Sequence, residues 1–281
     1  MSDQTLLPPP ELANKWETLN GALASMQSVV VAFSGGVDSA LLLKVAFDQL
    51  GDRCVAATGL SETYAPEEMA EAVKVAEQIG ARHVHIRTME LTDPRYADNT
   101  HQRCFFCKTE LYTQLRNYAD EHGFREIADG TNADDLGDFR PGIRAARQIG
   151  VRSPLQELGF TKSEIRQLSN WLQLPTWDKP AAACLSSRFT YGDPITVEKL
   201  KQVSLAESHI RTLGFRGFRV RHHGEVARIE FPQGDLDDAF TLRDQIVSGV
   251  KAAGYQYVSI DLGGYRPGSM NEGLNARLKP D

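Results

Sequence analysis

From residue 29 onward, short apolar runs that predict strands alternate with longer stretches in which apolar residues recur at helical spacing. This β-α-β-α-β order favours an α/β fold with a doubly wound parallel sheet, whose ligands bind beyond the carboxyl ends of the strands. The predicted strands are 29–33, 54–58, 83–87 and 126–129, and the predicted helices are 40–50, 66–79, 105–122 and 162–172.

The pattern changes near residue 178, where Pro175 and Pro180 flank a break in the helical spacing. The elements predicted after it are a helix at 197–213, strands at 218–222 and 226–231, a helix at 236–253 and a strand at 257–262. We therefore predict a smaller C-terminal α+β domain at 178–281. It follows a doubly wound domain at 29–177 and an N-terminal extension with a first helix at 1–28.

Several residues mark the ends and faces of these helices. Thr161 or Ser163 is placed to cap helix 162–172, and Gly214 is placed to end helix 197–213. The spacing along helix 197–213 predicts a buried face made of Val203, Leu205, Ile210 and Leu213.

The net charge of -6 and the pI near 5.7 provide no overall basic field for a nucleic-acid polyanion, so the composition favours a small-molecule substrate. We find neither a basic leader with an apolar core nor a membrane-length apolar run, which predicts a soluble, cytoplasmic protein without a membrane partner. Four cysteines in a chain of this length do not form a disulfide framework, so their spacing matters more than their number.

Residues 34–39 read Ser-Gly-Gly-Val-Asp-Ser and connect the first predicted strand to the first predicted helix. Paired glycines let the backbone N–H groups turn inward, and the helix N-terminus adds partial positive charge, so this turn predicts a phosphate-binding site. The lysine of a Walker A loop is missing from it. The alternative is an ordinary helix start that Ser34 or Asp38 caps.

Cys104 and Cys107 form a C-x-x-C pair at the start of a predicted helix, and Cys184 lies in a run of small residues. Three thiolates could hold a 4Fe-4S cluster with one iron open to an extra sulfide, because soft thiolate ligands suit iron-sulfur chemistry. A zinc site completed by a histidine, a redox disulfide between Cys104 and Cys107, and unconnected thiols stay open as alternatives. Cys54 lies within a strand pattern and is predicted to be a small buried apolar residue.

Four motifs occur together along the chain. They are the loop at 34–39, the Asp-Gly-Thr-Asn segment at 129–132 followed by 138–142, the run at 183–189 with Tyr191 and Gly192, and the tail at 261–266. This combination resembles the LarE family of ATP-dependent sulfur transferases, within the PP-loop ATP pyrophosphatase superfamily. The resemblance extends from about residue 29 to residue 271. It implies a PP-loop ATP pyrophosphatase domain at 29–177 and a substrate-binding and sulfur-transfer domain at 178–281.

The resemblance implies adenylation of a carboxylate of pyridinium-3,5-biscarboxylic acid mononucleotide, followed by replacement of the activated oxygen with sulfur, in nickel-pincer nucleotide biosynthesis. ATP and Mg²⁺ are the implied cofactors, and Asp38 would help to hold Mg²⁺. The implied nucleotide-binding residues are Ser34, Gly35, Gly36, Asp38, Ser39 and Gly130. The residues that resemble family positions binding the substrate phosphate are Ser187, Arg188, Arg219 and Arg221. Those that resemble positions in the family's catalytic region are Cys184, Glu207 and Glu230.

Without the resemblance, the same residues also have ordinary interpretations. Arg219 and Arg221 lie two apart on a predicted strand and face the same side, which suits an anion but also a solvated strand face. Glu207 or Glu230, taken alone, is interpreted as an ordinary surface charge.

One branch of the family has a single cysteine in the Cys184 segment, and that cysteine gives up its own sulfur. The C-x-x-C pair is additional here, so we interpret this chain as the branch in which Cys104, Cys107 and Cys184 hold a 4Fe-4S cluster whose open iron carries the transferable sulfide. Sacrifice of the Cys184 sulfur stays open, as do tRNA thiolation and a non-catalytic ATP-binding role. The family also implies a separate sulfide source and a homo-oligomer, a hexamer built from dimers.

Overall fold

A computed structural model of the chain describes residues 7–137, 141–180 and 183–266. These residues form two compact units. The first unit comprises 7–61, 66–90 and 102–180, and the second comprises 62–65, 91–101 and 183–266. The short segments 62–65 and 91–101 therefore belong to the second unit, although the sequence pattern included them in the domain at 29–177. Parts of two family motifs, at 138–140 and 181–182, lie outside the described residues.

Helices and strands follow one another through both units. In chain order, the strands are β1 Val29–Ala32, β2 Cys54–Leu60, β3 Arg82–Arg87, β4 Glu126–Asp129, β5 Arg219–His223, β6 Val226–Glu230 and β7 Tyr257–Ile260. The helices are α1 Ala13–Ser25, α2 Val37–Leu50, α3 Pro66–Ile79, α4 Pro94–Ala97, α5 Arg103–Glu121, α6 Pro141–Ile149, α7 Pro154–Glu157, α8 Lys162–Trp171, α9 Val197–Thr212, α10 Leu236–Thr241 and α11 Arg243–Ala252.

The first unit is built on a parallel sheet with the strand order β3-β2-β1-β4. Val29 on β1 pairs with Cys54 on β2 and with Glu126 on β4. The strand order therefore reverses between β1 and β4. In open α/β sheets, ligands bind at such a reversal, outside the carboxyl ends of the strands. The predicted α/β fold with a doubly wound parallel sheet is confirmed.

Helices cover both faces of this sheet. Val29 and Val31 on one face belong to a buried core that includes residues of α1, α2, α3 and α8. Val30 and Val55 point to the opposite face, where they pack with residues of α5 and α6. Because successive side chains of a strand alternate between faces, a strand buried on both sides must be apolar throughout, as β1 is.

The second unit contains a small mixed sheet in the order β5-β6-β7, in which β5 and β6 are antiparallel and β6 and β7 are parallel. One face of this sheet is apolar and buried, with Val220, Ala227 and Ile229. The opposite face carries ionisable side chains from β5 and β6, namely Arg219, Arg221, Arg228 and Glu230. The predicted smaller α+β region is confirmed, and its charged face contains three of the predicted site residues, Arg219, Arg221 and Glu230.

Most predicted elements are present within one or two residues of their expected ends. Thr161 caps α8 in a capping box with Glu164, as the sequence predicts. The predicted helix at 236–253 is wrong as a single element, because Leu242 leaves helical geometry (ψ 12°) and separates α10 from α11. Among the described residues, no helix is long and apolar enough to cross a membrane.

The predicted buried face of α9 is partly wrong. Val203 and Ile210 are buried together with Ala206, but Leu205 is 50% exposed. The reason is the helical period, which places residue 205 about 200° around the axis from residue 203. The buried row continues through Glu207 instead, a charged residue that the apolar pattern does not reveal.

Candidate active site

The loop at 34–39 leaves the carboxyl end of β1 and leads directly into α2. Gly36 is the N-cap of α2 in an extended conformation, and no side chain caps the helix there. The alternative of an ordinary start capped by Ser34 or Asp38 is therefore wrong. An uncapped helix N-terminus at the reversal of a parallel sheet has both the dipole and the N–H groups that bind a phosphate.

Two hydroxyls close this loop. The Oγ atoms of Ser34 and Ser39 lie 3.2 Å apart, and the Ser39 hydroxyl donates to the Gly36 carbonyl oxygen at 3.2 Å. The Ser34 N–H in turn donates to Ser39 Oγ at 3.3 Å. The two serines thus connect the two ends of the glycine turn.

Two glycines are required because other backbone segments approach closely. Gly35 has a φ of +66°, and a Cβ atom built on it would lie 2.9 Å from Cα of Ala72 on α3. A Cβ atom on Gly130, at the end of β4, would lie 2.8 Å from the Ser39 backbone nitrogen. The ends of β1 and β4 therefore meet at the first turn of α2, with no room for side chains at these positions.

Asp38, in the first turn of α2, is held by two side chains from other parts of the unit. Its Oδ1 accepts from Asn132 Nδ2 at 3.1 Å, and its Oδ2 accepts from Lys162 Nζ at 2.5 Å. Asn132 is buried, whereas Lys162 is half-buried at the start of α8. Carboxylate oxygens are ligands that Mg²⁺ prefers, so Asp38 has the chemistry expected of it.

A second lysine contacts the loop itself. Lys179 Nζ donates to the Gly35 carbonyl oxygen at 3.1 Å and pairs with Glu71 Oε2 at 2.9 Å. Lys162 and Lys179 thus bring two ammonium groups to a loop that has no lysine of its own. The sequence analysis did not single them out, and only their places after Thr161 and beside Pro180 give a weak local signal.

The carboxyl end of β4 is fixed by a buried carboxylate. Asp129 accepts from the Tyr112 hydroxyl at 2.6 Å, from the Ser153 hydroxyl at 2.7 Å and from the Thr131 N–H at 3.1 Å. Burial and the neighbouring Asp129 charge raise the pKa of Tyr112, so the phenol stays a donor. These contacts hold the turn that places Gly130 against α2.

The end of β1 has a comparable support on the other side. The Thr58 hydroxyl donates to the Phe33 carbonyl oxygen at 2.6 Å, and His83 Nε2 lies 2.8 Å from the same hydroxyl oxygen. Because the Thr58 proton is already used, His83 must donate its Nε2–H to Thr58. Burial, with a smaller contribution from the His85 charge, lowers the pKa of His83 to about 4.

In the second unit, Arg188 and Glu207 form a buried pair. Arg188 Nε and Nη2 donate to the two carboxylate oxygens of Glu207 at 2.8 and 3.0 Å, and each side chain is 1% exposed. Burial alone would raise the pKa of Glu207, but the charge and hydrogen bonds of Arg188 lower it below its ordinary value. Glu207 is therefore a buried carboxylate, and the interpretation of it as a surface charge is wrong.

A second pair lies on the charged face of the small sheet. Arg221 Nε and Nη2 donate to Glu230 Oε2 at 2.9 and 2.7 Å, and Arg228 donates to Oε1 of the same carboxylate at 3.0 Å. Arg221 also donates to the Ser187 carbonyl oxygen at 2.9 Å. Glu230 is buried, so its interpretation as a surface charge is wrong as well.

Arg219 lies on the same face as Arg221. Its guanidinium lies 5.0 Å from the centre of the Tyr265 ring and donates to the Phe218 carbonyl oxygen at 2.7 Å. Burial and then the Arg188 charge lower its pKa. Arg219 and Arg221 are both buried, which excludes a solvated strand face and concentrates positive charge beside residues 187 and 188.

The cysteines fall into two classes. Cys54 is buried in β2, where burial raises the pKa of its thiol to about 12, as expected of a small apolar core residue. Cys104 and Cys107 lie in the first turn of α5, and Cys184 is exposed in the second unit. None of the four is in a disulfide. Within the part of the chain that the structure describes, no three His, Cys, Asp or Glu side chains form a group that could hold a metal ion.

Comparisons with known proteins agree with this geometry. A family model described as NAD synthase matches residues 17–118, which contain the loop at 34–39 and α2. The pyridinium-3,5-bisthiocarboxylic acid mononucleotide synthase of Lactiplantibacillus plantarum is 40% identical over 265 residues, covering 94% of this chain and 96% of its own length. This chain belongs to the LarE family. As a member, it is an ATP-dependent sulfurtransferase, and PP-loop proteins bind ATP with Mg²⁺.

Two further proteins are similar to this chain. The uncharacterized protein slr1717 of Synechocystis sp. is 44% identical over 265 residues, covering 94% of this chain and 99% of its own length. Among solved structures, the NMN synthetase of Francisella tularensis is 20% identical, with a TM-score of 0.48 over 60% of this chain and 74% of that chain.

Proposed function

We propose that this LarE-family enzyme adenylates a carboxylate of pyridinium-3,5-biscarboxylic acid mononucleotide and replaces the activated oxygen with sulfur, in nickel-pincer nucleotide biosynthesis. The observation that carries the proposal is full-length similarity to a synthase named for the corresponding bisthiocarboxylic product, together with a phosphate-binding loop at the reversal of the sheet. The substrate is thus a small molecule that itself contains a phosphate and two carboxylates.

The first step transfers AMP. A carboxylate oxygen of the substrate attacks the α-phosphorus of ATP, the bond to the bridging oxygen breaks, and pyrophosphate leaves. The leaving group gains negative charge, so the step depends on groups that bind that charge and hold it in place. The α2 N-terminus, the loop N–H groups and the Ser34 and Ser39 hydroxyls would bind pyrophosphate.

Lys162 and Lys179 add positive charge to this site. Each ammonium lies within hydrogen-bonding distance of the PP-loop, one at Asp38 and the other at Gly35. We propose that Asp38 would hold Mg²⁺ when ATP is bound and that Lys162 would then donate to a phosphate oxygen. Asp38 has the hard oxygen ligands for this role, and Mg²⁺ would neutralise the charge that develops on pyrophosphate.

The second step replaces oxygen by sulfur. A sulfur nucleophile attacks the acyl carbon of the adenylate, and AMP leaves with the original carboxylate oxygen, so a thiocarboxylate remains. For substrate binding we propose Ser187, Arg219 and Arg221, because two buried guanidinium groups beside a hydroxyl suit a phosphate.

For the sulfur source, we propose that Cys104, Cys107 and Cys184 are ligands of one 4Fe-4S cluster. The donor set fits in its chemistry, because three thiols lie outside the buried core, and two of them are one helical turn apart. When bound, the cluster would supply a transferable sulfide at the iron without a protein ligand. The alternative, loss of the Cys184 sulfur itself, also requires an exposed thiol at that position.

The function is tested with purified protein, Mg-ATP and the biscarboxylic mononucleotide. Pyrophosphate release that depends on this substrate, with a product in which sulfur replaces oxygen, is the expected result. Tight ATP binding without such release would contradict the proposal and favour a non-catalytic nucleotide-binding protein. Release that depends on tRNA instead would favour tRNA thiolation, and its binding would weaken steeply with salt.

Two measurements separate the sulfur sources. Intact mass before and after one turnover shows whether the polypeptide loses a sulfur atom, and iron and sulfide analysis shows whether a cluster is present. We expect iron, sulfide and an unchanged polypeptide mass. Light scattering of the same preparation tests the homo-oligomer, a hexamer, that the family implies.

A further inference from the structure

Cys184 is exposed, but the residues that follow it are anchored in the second unit. The Leu185 N–H donates to the Thr63 carbonyl oxygen at 3.0 Å, and the Ser186 hydroxyl lies 2.5 Å from the Tyr96 hydroxyl. Leu185 and Ser186 are both buried. The Cys184 thiol is therefore exposed on a turn whose next two residues are buried and hydrogen-bonded within the second unit.

Arg188 holds this turn from inside. Its Nη1 donates to the carbonyl oxygens of Ala183 at 2.6 Å and Cys184 at 3.1 Å, while its Nε and Nη2 bind Glu207. The planar guanidinium thus connects the backbone on both sides of the thiol to a buried carboxylate. To bind a substrate phosphate, Arg188 would have to release both carbonyl oxygens of the turn and break its buried ion pair with Glu207, which is strongly unfavourable.

Glu207 is in turn fixed to two elements. It lies on α9, and its Oε1 accepts from the Val220 N–H on β5 at 3.0 Å. Its Oε2 also accepts from Arg211 Nη2 at 3.0 Å. A continuous set of contacts therefore runs from α9 and β5 through Glu207 and Arg188 to the Cys184 backbone. A carboxylate bound on both oxygens in this way has no geometry for taking a proton from a substrate.

We propose that Arg188 and Glu207 are positioning residues that hold the Cys184 turn for sulfur transfer, and that Arg188 does not bind the substrate phosphate. This inference rests on the proposed function, since it assumes that sulfur reaches the adenylate through Cys184. It applies equally to a cluster ligand and to a sacrificial donor, because both require the thiol in a fixed place. It replaces the roles that the resemblance implied for these two residues.

The test compares Arg188→Lys with Arg211→Ala in the full-length protein. The lysine substitution keeps a cation beside Glu207 but removes the guanidinium nitrogen that donates to the carbonyl oxygens of Ala183 and Cys184. Arg211→Ala is the matched control, because it also removes a hydrogen bond to Glu207 without touching the turn. The measurements are substrate-dependent pyrophosphate release, the KM of the mononucleotide in that step, thiocarboxylate formation in a single turnover, and amide hydrogen exchange of the peptide 183–189.

For Arg188→Lys we expect thiocarboxylate formation to fall about 100-fold, the loss typical of an ångström-scale misplacement. Exchange of the peptide 183–189 should rise, while adenylation and the KM stay at the wild-type values, and Arg211→Ala should change none of these. A raised KM with unchanged exchange would overturn the inference, because it would mean that Arg188 binds the phosphate.

A second variant tests the inference if the first does not fold, and the wild-type activity separates this inference from the proposed function. If Arg188→Lys does not fold, Glu207→Gln, which keeps an acceptor for Arg188 and for the Val220 N–H, should show the same pattern more weakly. Its failure to do so would count against the inference. If the wild-type protein releases no pyrophosphate with the mononucleotide, the proposed function fails, while the exchange measurement still decides whether Arg188 holds the turn.

Discussion

Lys162 donates to Asp38 across 124 residues of sequence, with 2.5 Å between Nζ and Oδ2. The carboxylate belongs to the PP-loop helix, and the lysine is the first residue of α8. This pair keeps an acidic side chain at the phosphate-binding end of α2, where a bare negative charge would repel the ligand. It also places a cation beside the loop that we propose binds pyrophosphate.

We expect Lys162→Ala to lower substrate-dependent pyrophosphate release about 10- to 100-fold, because a charged hydrogen bond contributes about 1.5 to 3 kcal/mol. Lys44→Ala is the control, since Lys44 pairs with Asp48 further along the same helix and away from the loop. Steady-state rates at saturating and limiting ATP measure the effect. Equal rates in the two variants would show that Lys162 only neutralises Asp38.

The two glycines at the ends of α2 provide a second prediction. Gly35 and Gly51 both have positive φ, so alanine should cost about 1–3 kcal/mol of backbone strain at either position. Only at Gly35 does an added Cβ approach another element, α3, whereas nothing lies within 4 Å at Gly51. We expect both variants to lose stability but only Gly35→Ala to lose ATP binding, as measured by calorimetry. Retained affinity in Gly35→Ala would contradict the close fit between the loop and α3.

His83 makes stability depend on pH. Its pKa is about 4 in the folded protein, compared with an ordinary value of 6.5. Between these values the unfolded chain binds a proton that the folded protein does not, so the free energy of unfolding should fall as the pH decreases from about 6.5 to about 4. Urea unfolding should show this loss in the wild type, and His83→Gln should remove that part of it.

The same assignment can be checked directly by following the His83 ring by NMR. A midpoint near 4 is expected, because protonation would bring a charge next to His85 within a partly buried site. A midpoint near 6.5 would contradict the predicted pH dependence.

The proposed cluster predicts that only substitutions of its cysteine ligands change the visible absorbance of the protein. Anaerobically reconstituted wild-type protein should show the broad visible absorbance of an iron-sulfur protein, and Cys104→Ala should abolish it. Cys54→Ala is the matched control, because Cys54 is buried in β2 and should leave the absorbance unchanged. Colourless wild-type protein with stoichiometric zinc would contradict the cluster.

The sequence predicted those parts of the structure that depend on local chemistry. The PP-loop between β1 and α2, the Thr161 cap of α8 and the buried Cys54 each follow from a short run of residues. They could be predicted because glycine conformations, capping hydroxyls and strand periodicity act within a few positions.

Contacts between distant segments were not predictable in this way. The place of Lys179 beside Pro180 does not identify it as a neighbour of Gly35, and the charge of Glu207 argues against burial until Arg188 is seen beside it. On α9, the sequence pattern predicts Glu207 as a surface charge and Leu205 as part of the buried face, and both predictions are wrong. A buried ion pair interrupts an apolar pattern, so hydrophobic spacing alone cannot reveal one.

The strand order also determines how much of the chain must be translated before the loop at 34–39 can make all its contacts. Val29 on β1 pairs with Glu126 on β4, so the last strand leaves the ribosome roughly one hundred residues after its partner. Until then, Gly130 cannot pack against Ser39, so the loop at 34–39 has no contact with the end of β4. A nascent chain stalled before residue 126 should therefore not retain ATP, and the newly made protein should bind nucleotide only after residue 130, close to the middle of the polypeptide, has emerged.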